Sequence, residues 1–139
     1  MELENTPATE AAARATVNDY FSAIYAGDTQ RLANVFSPTA MLVGWDEGEL
    51  KCVTRDRWFA FVEATPSPRS LRAALDSKIL HVDVFGTVAV AKVREVYRSF
   101  AYVEFLSLLW TGQRWQIVNK CYHQFKSEIS STDRERDAR

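Results

Sequence analysis

Apolar residues recur first at helical and then at strand spacing along this chain. Val17, Tyr20, Phe21 and Ile24 fall on one helix face, with Thr6 expected as N-cap, Pro7 in the first turn and Gly27 as the stop. Asp28 can cap a shorter second helix carrying Leu32, Val35 and Phe36, which Ser37-Pro38 should end. Thr39 to Trp45 reads as an apolar strand, followed by a turn at Asp46-Glu47-Gly48 and a short strand from Glu49 to Val53. Thr54 can cap a third helix that turns Trp58, Phe61 and Val62 inward. Thr65-Pro66-Ser67-Pro68 forms a loop, the segment inside the domain most open to movement. Strands at 78–85, 88–98, 100–110 and 114–124 follow, separated by Gly86-Thr87, Arg98-Ser99 and Gly112-Gln113.

Helices followed by a long antiparallel meander imply an α+β fold, with about three N-terminal helices covering one sheet face. The strand Ala101 to Trp110 is apolar on both faces. Tyr102, Leu106, Leu108 and Trp110 lie on one, and Val103, Phe105 and Leu109 on the other. The face away from the helices needs a second cover, so a homodimer is expected.

Length and charge narrow the function. The 139 residues suffice for one core, giving a single domain over 1–125. Residues 126–139 carry eight charges, which predicts a solvated tail. A formal net charge of −1 attracts neither nucleic acid nor an anionic membrane, so neither partner is expected. Cys52 and Cys121 lie in strand-like runs and read as buried free thiols, which suits a reducing cytoplasm. Met1 to Glu10 has three acids and no apolar run, unlike a signal peptide, and no stretch is apolar enough to span a bilayer.

Several strings then resemble a known family in order and spacing. Asp19-Tyr20-Phe21-Ser22-Ala23-Ile24-Tyr25-Ala26-Gly27-Asp28 resembles the opening helix of nuclear-transport-factor-2-like proteins, and Phe36-Ser37-Pro38-Thr39-Ala40 the entry to their first strand. Phe85-Gly86-Thr87-Val88-Ala89-Val90-Ala91 resembles their first long hairpin. Tyr102 to Leu109, followed by Trp115 to Lys120, resembles the closing one. The match spans roughly residues 10–125 and is nearest the lumazine-binding branch, beside the polyketide-cyclase-like (SnoaL-like) branch. The resemblance implies a cone-shaped, cystatin-like curved sheet, a pocket between helices and sheet, and usually a dimer. It implies no particular reaction, because one fold hosts many chemistries.

Hairpin register offers a route to the pocket. With the last turn centred on Gly112-Gln113, Trp110 faces Trp115, Leu108 faces Ile117, Leu106 faces Asn119, Glu104 faces Cys121 and Tyr102 faces His123. Lys120 falls on the opposite face and is set aside. With Gly86-Thr87 as the earlier turn, Leu80, Val82 and Val84 share a face with Ala89, Ala91, Val93, Glu95 and Tyr97, while His81, Asp83, Lys92 and Arg94 face outward. The inner face thus ends in Glu95, Tyr97, Tyr102, Glu104, Asn119 and His123.

Such a cluster has the parts for acid–base work. Neighbouring carboxylates disfavour double ionisation, so one retains a proton. A histidine beside them exchanges it, and tyrosines hold a carbonyl or enolate oxygen. The catalytic candidates are Glu104, His123 and Glu95. The ligand-contact candidates are Tyr20, Trp45, Trp58, Tyr97, Tyr102 and Asn119. Plainer readings stand beside these: Glu95 and Glu104 wet at a cone mouth, His123 exposed at a strand end, Tyr20 and Trp58 ordinary core aromatics, Trp45 flanking either a pocket or a dimer contact. No Gly-rich phosphate loop or nucleophile elbow occurs, Cys121 with His123 lacks an oxyanion hole, and no metal or other cofactor is expected. Two functions therefore remain. One is a cofactor-free isomerase, dehydratase or cyclase acting on a small apolar carbonyl or hydroxyl compound. The other is a non-catalytic ligand-binding or dimerisation module.

Overall fold

The computed structural model describes residues 8–125. Helix α1 spans Glu10–Ala26, and its N-cap is Thr9, whose hydroxyl accepts from the Ala12 N–H. The expected cap Thr6, with Pro7, lies outside the described residues, as does the charged segment 126–139. Gly27 ends α1 in a left-handed conformation, φ +68°, a region that favours glycine. Asp28 caps α2 (Thr29–Val35) and Thr54 caps α3 (Arg55–Ala64), each accepting a backbone N–H in the first turn.

Six strands follow this scheme: β1 (Phe36–Asp46), β2 (Glu49–Thr54), β3 (Ser77–Phe85), β4 (Val88–Tyr97), β5 (Phe100–Trp110) and β6 (Trp115–Phe125). They form one curved, unclosed sheet in the order β2-β1-β6-β5-β4-β3. Neighbours pair antiparallel except β1 with β6, which run parallel. Strand β1 begins at Phe36, so Ser37-Pro38 lies within it. There the pairing to β6 shifts register between Phe36 and Met41, which accommodates a residue without an N–H.

Two bulges decide which side chains face inward, since an extra residue flips everything beyond it to the other face. On β3, pairing runs from Phe85↔Val88 to His81↔Lys92 and resumes at Ile79↔Val93. Ile79 therefore packs inward and Leu80 is 43% exposed, reversing the side expected for Leu80. On β6, Leu108 pairs with Ile117 but Ser107 pairs with Asn119, leaving Val118 as the extra residue.

The helices cover the concave face. Val17, Tyr20, Phe21 and Ile24 of α1 pack with Leu32, Phe36, Val93, Leu106, Leu108, Trp115 and Ile117. Burying each such large apolar side chain contributes about 1.5–3 kcal/mol before entropy is counted. The convex face stays uncovered: Trp45, Leu50, Phe85, Val88, Phe105 and Leu109 are all exposed. Cys52 and Cys121 are exposed too, contrary to the buried thiols expected, because each pairs beside Val43 on that face. Among the described residues no helix is long and apolar enough to cross a membrane.

Candidate functional site

Four polar side chains meet beneath the helices. Glu95, Glu104 and Lys120 are nearly fully buried and Tyr20 is wholly so. They come from three adjacent strands and one helix. Glu95 pairs with Tyr102 and Glu104 with Val93 across β4 and β5, so the two carboxylates are diagonal neighbours on one face. Lys120 pairs with Leu106, again diagonal to Glu104. Tyr20 reaches down from α1 into the middle of this row.

The Tyr20 hydroxyl is the hub. It lies 2.8 Å from Glu95 Oε2 and 2.9 Å from Glu104 Oε1, and it accepts from Lys120 Nζ at 2.9 Å. Lys120 Nζ also stands 3.4 Å from Glu104 Oε2 and 4.4 Å from the Trp58 ring centroid, a cation–π contact. A phenol carries one hydrogen and cannot donate to both carboxyls. Both short O···O contacts are satisfied if protonated Glu95 donates to Tyr20 while Tyr20 donates to Glu104. Electrostatics agrees. Burial, then the charge of Glu104, hold the Glu95 carboxyl well above the usual carboxylate range. Burial, then the charge of Glu104, likewise push Tyr20 far up, keeping it neutral. Neutral Glu95, anionic Glu104 and cationic Lys120 then sum to no net charge, which a low-dielectric interior favours.

A cavity of about 580 Å³ opens onto this row. Its floor includes Glu95, Glu104 and Lys120, and its walls include Ile24, Leu42, Val53, Trp58, Phe61, Tyr97, Phe100, Tyr102 and Tyr122. Glu47, Arg57 and Arg98 stand exposed at its edge. Gln124 ties wall to mouth: its Nε2 donates to the Tyr102 hydroxyl at 3.1 Å, and its Oε1 accepts from the Glu47 N–H at 3.0 Å. Burial raises Tyr102 to about 12, so its hydroxyl is a neutral polar group in the wall. Gly44 makes room for Tyr122, since a Cβ there would sit 2.6 Å from the Tyr122 carbonyl oxygen and 2.7 Å from its ring.

The candidates read from sequence divide by face. Glu95, Glu104, Tyr20, Trp58, Tyr97 and Tyr102 come together at this cavity. His123, Asn119 and Trp45 do not. His123 pairs with Val103 and Trp45, is exposed, and stacks edge-on against Phe125 at 4.8 Å. Asn119 pairs with Ser107 on the same convex side, and Trp45 is 61% exposed there. The cause is the bulge at Val118, which turns Lys120, Tyr122 and Gln124 inward in place of Asn119, Cys121 and His123. Sequence reasoning missed Lys120 for this reason. The one available signal was the odd–even spacing of Trp115 and Tyr122, which no single strand alternation buries together.

Comparison with known proteins follows the same outline. A family model described as "Putative lumazine-binding" matches residues 8–123. Among curated proteins the chain is 27% identical over 113 residues to the aldolase FrzH of Cladobotryum sp, covering 80% of this chain and 87% of that one. Among solved structures it superposes with a TM-score of 0.71 and 29% identity on an NTF-2 like protein of unknown function from Silicibacter pomeroyi DSS-3, covering 83% of this chain and 94% of that one. The S. rosetta CaMKII hub shares the fold at 16% identity and a TM-score of 0.65, covering 86% and 97%. The chain belongs to the "Putative lumazine-binding" family of the nuclear-transport-factor-2-like superfamily.

Proposed function

We propose that the cavity binds a small, largely apolar molecule carrying a carbonyl or hydroxyl oxygen and moves a proton on it without a cofactor, as an isomerase, dehydratase or cyclase does. The observation that carries this reading is the pair of buried carboxyls, Glu95 and Glu104, both lining the cavity and bridged by the Tyr20 hydroxyl, with burial and the charge of Glu104 raising the proton affinity of Glu95. Glu95 is the acid that protonates a substrate oxygen. Glu104 is the base that removes a proton from carbon. Tyr20 relays between them, and the Lys120 ammonium stabilises the enolate oxygen as it forms. Aromatic walls suit a planar ring, which fits a family described as lumazine-binding. A relative named as an aldolase adds support, since aldol chemistry begins with a proton removed beside a carbonyl.

A second reading is a pocket without turnover. The mutual satisfaction of Tyr20, Glu95, Glu104 and Lys120 favours it, because such a network also stands as structure. Exchange of the methyl protons of acetophenone in D2O, followed by NMR, separates the two. Acid–base turnover predicts exchange above the buffer rate, reduced on the order of 10²–10⁴-fold by Glu95→Gln or Tyr20→Phe. Acetophenone that binds without exchanging supports the binding module.

The same reading includes a homodimer through the convex face. Phe105 and Leu109, exposed by 52% and 42%, share the convex face with Val88, Val90 and Phe125. Its exposure is the support, since monomers rarely leave such patches bare.

A further inference from the structure

Lys120 is a primary amine at the floor of a cavity, and the acid–base reading uses only its charge. Its side chain is 8% exposed, and its Nζ is held among the rings of Trp58, Tyr20 and Tyr122, at 4.4, 5.3 and 6.0 Å from their centroids. Lys51, the other lysine at the cavity, has a side chain 43% exposed near the mouth and an ion pair with Glu49. At the floor the amine has what carbonyl capture requires. Glu104 Oε2, 3.4 Å away, can take the ammonium proton, and the carboxyl of Glu95 is reached through Tyr20.

We infer that Lys120 captures an aldehyde or ketone as a covalent imine. The inference rests on the acid–base reading of the cavity and extends it to the substrate class. The steps balance as follows. The Lys120 ammonium gives a proton to Glu104. The freed nitrogen lone pair attacks the carbonyl carbon, and the oxygen takes the Glu95 proton. The nitrogen returns a proton to Glu95, leaving a neutral carbinolamine. The nitrogen lone pair then expels the hydroxyl, which leaves as water with the Glu104 proton. The product is a protonated imine on Lys120, with Glu104 anionic and Glu95 protonated as at the start. Total charge and proton count are unchanged and no oxidant or reductant is needed. A conjugated iminium is planar and cationic, and the Trp58 ring already faces a cation at that position.

The test is reductive trapping on the full chain. Protein is incubated with limiting benzaldehyde and sodium cyanoborohydride, and labelled peptides are located by mass spectrometry. Label concentrated on Lys120 rather than on Lys51, Lys78, Lys92 or Lys126, and blocked by excess benzyl alcohol, supports the inference. Loss of that label in Lys120→Arg, which keeps a cation but no nucleophile, supports it further. Should that variant not fold, the wild-type peptide map decides alone. Lys120 unlabelled, or labelled no more than the exposed lysines, overturns the inference. A parallel titration with benzyl alcohol, read on the Trp58 indole resonance, then tells whether the cavity reading falls with it: binding without label leaves that reading standing, and neither binding nor label removes both.

Discussion

Glu95 differs from an ordinary surface carboxylate because three neighbours and its burial compete over one proton. Desolvation and the charge of Glu104 raise its proton affinity, while Lys120 lowers it less than they raise it. The stability consequence has a definite sign. A carboxyl whose folded-state pKa lies above its unfolded value binds a proton that the unfolded chain releases. Its contribution is complete below the ordinary carboxylate range and is lost as pH rises from there through the folded-state value. Each such proton gives a slope of at most about 1.4 kcal/mol per pH unit. Glu95→Gln keeps a donor at this position without the titration, so denaturant unfolding of the variant should be flatter with pH over that window than wild type. Equal slopes would mean that Glu95 is ionised. Both glutamates were legible in the sequence, because the short Arg98-Ser99 turn puts them on one face under simple alternation. Their protonation was legible only as a principle of paired carboxylates. Tyr20 as hub was not, since helix periodicity says that it points inward but not what it meets.

At the scale of elements, the bulge on β6 matters more to the site than any single side chain. The helix caps at Asp28 and Thr54, the stop at Gly27 and all three late hairpin turns were readable, because each has local turn or cap chemistry. Bulges have no such mark. Val118 is an ordinary β-branched strand residue, and only the odd–even spacing of Trp115 and Tyr122 marks that two residues oppose one. Strict alternation therefore put His123 inward and Lys120 outward, the reverse of the fold. Deleting Val118 would leave Ile117 opposite Leu108, Asn119 opposite Ser107 and Lys120 opposite Leu106, an unbulged ladder with Lys120, Tyr122 and Gln124 still inward. Lys120→Ala would instead leave Glu104 buried without its cation, a loss of about 3–5 kcal/mol when a buried pair is broken. The expected outcome, measured by circular dichroism, is a folded deletion variant whose melting temperature falls much less than that of Lys120→Ala. A deletion variant as destabilised as Lys120→Ala would contradict the reading of Val118 as the extra residue.

Across the whole molecule, the two sheet faces have different tasks. The concave face holds the core and the cavity, and the convex face presents Val88, Phe105, Leu109 and Phe125 to its surroundings. If a second copy covers that face, light scattering at micromolar concentration gives twice the 15.8 kDa chain mass. The double replacement Phe105→Asp with Leu109→Asp should then give a folded monomer, because both side chains point away from the core. A wild-type monomer would remove the dimer. The proposed acid–base chemistry depends on a proton held by Glu95 more than on assembly, and its presence can be measured. In protein labelled with 13C at the glutamate side-chain carboxyl, assigned with Glu95→Gln and Glu104→Gln, the Glu95 resonance should keep the position of a protonated carboxyl at neutral pH. It should move only when pH rises well beyond the ordinary carboxylate range. A Glu95 resonance already at the carboxylate position at neutral pH, titrating with the exposed glutamates, would contradict the acid–base site.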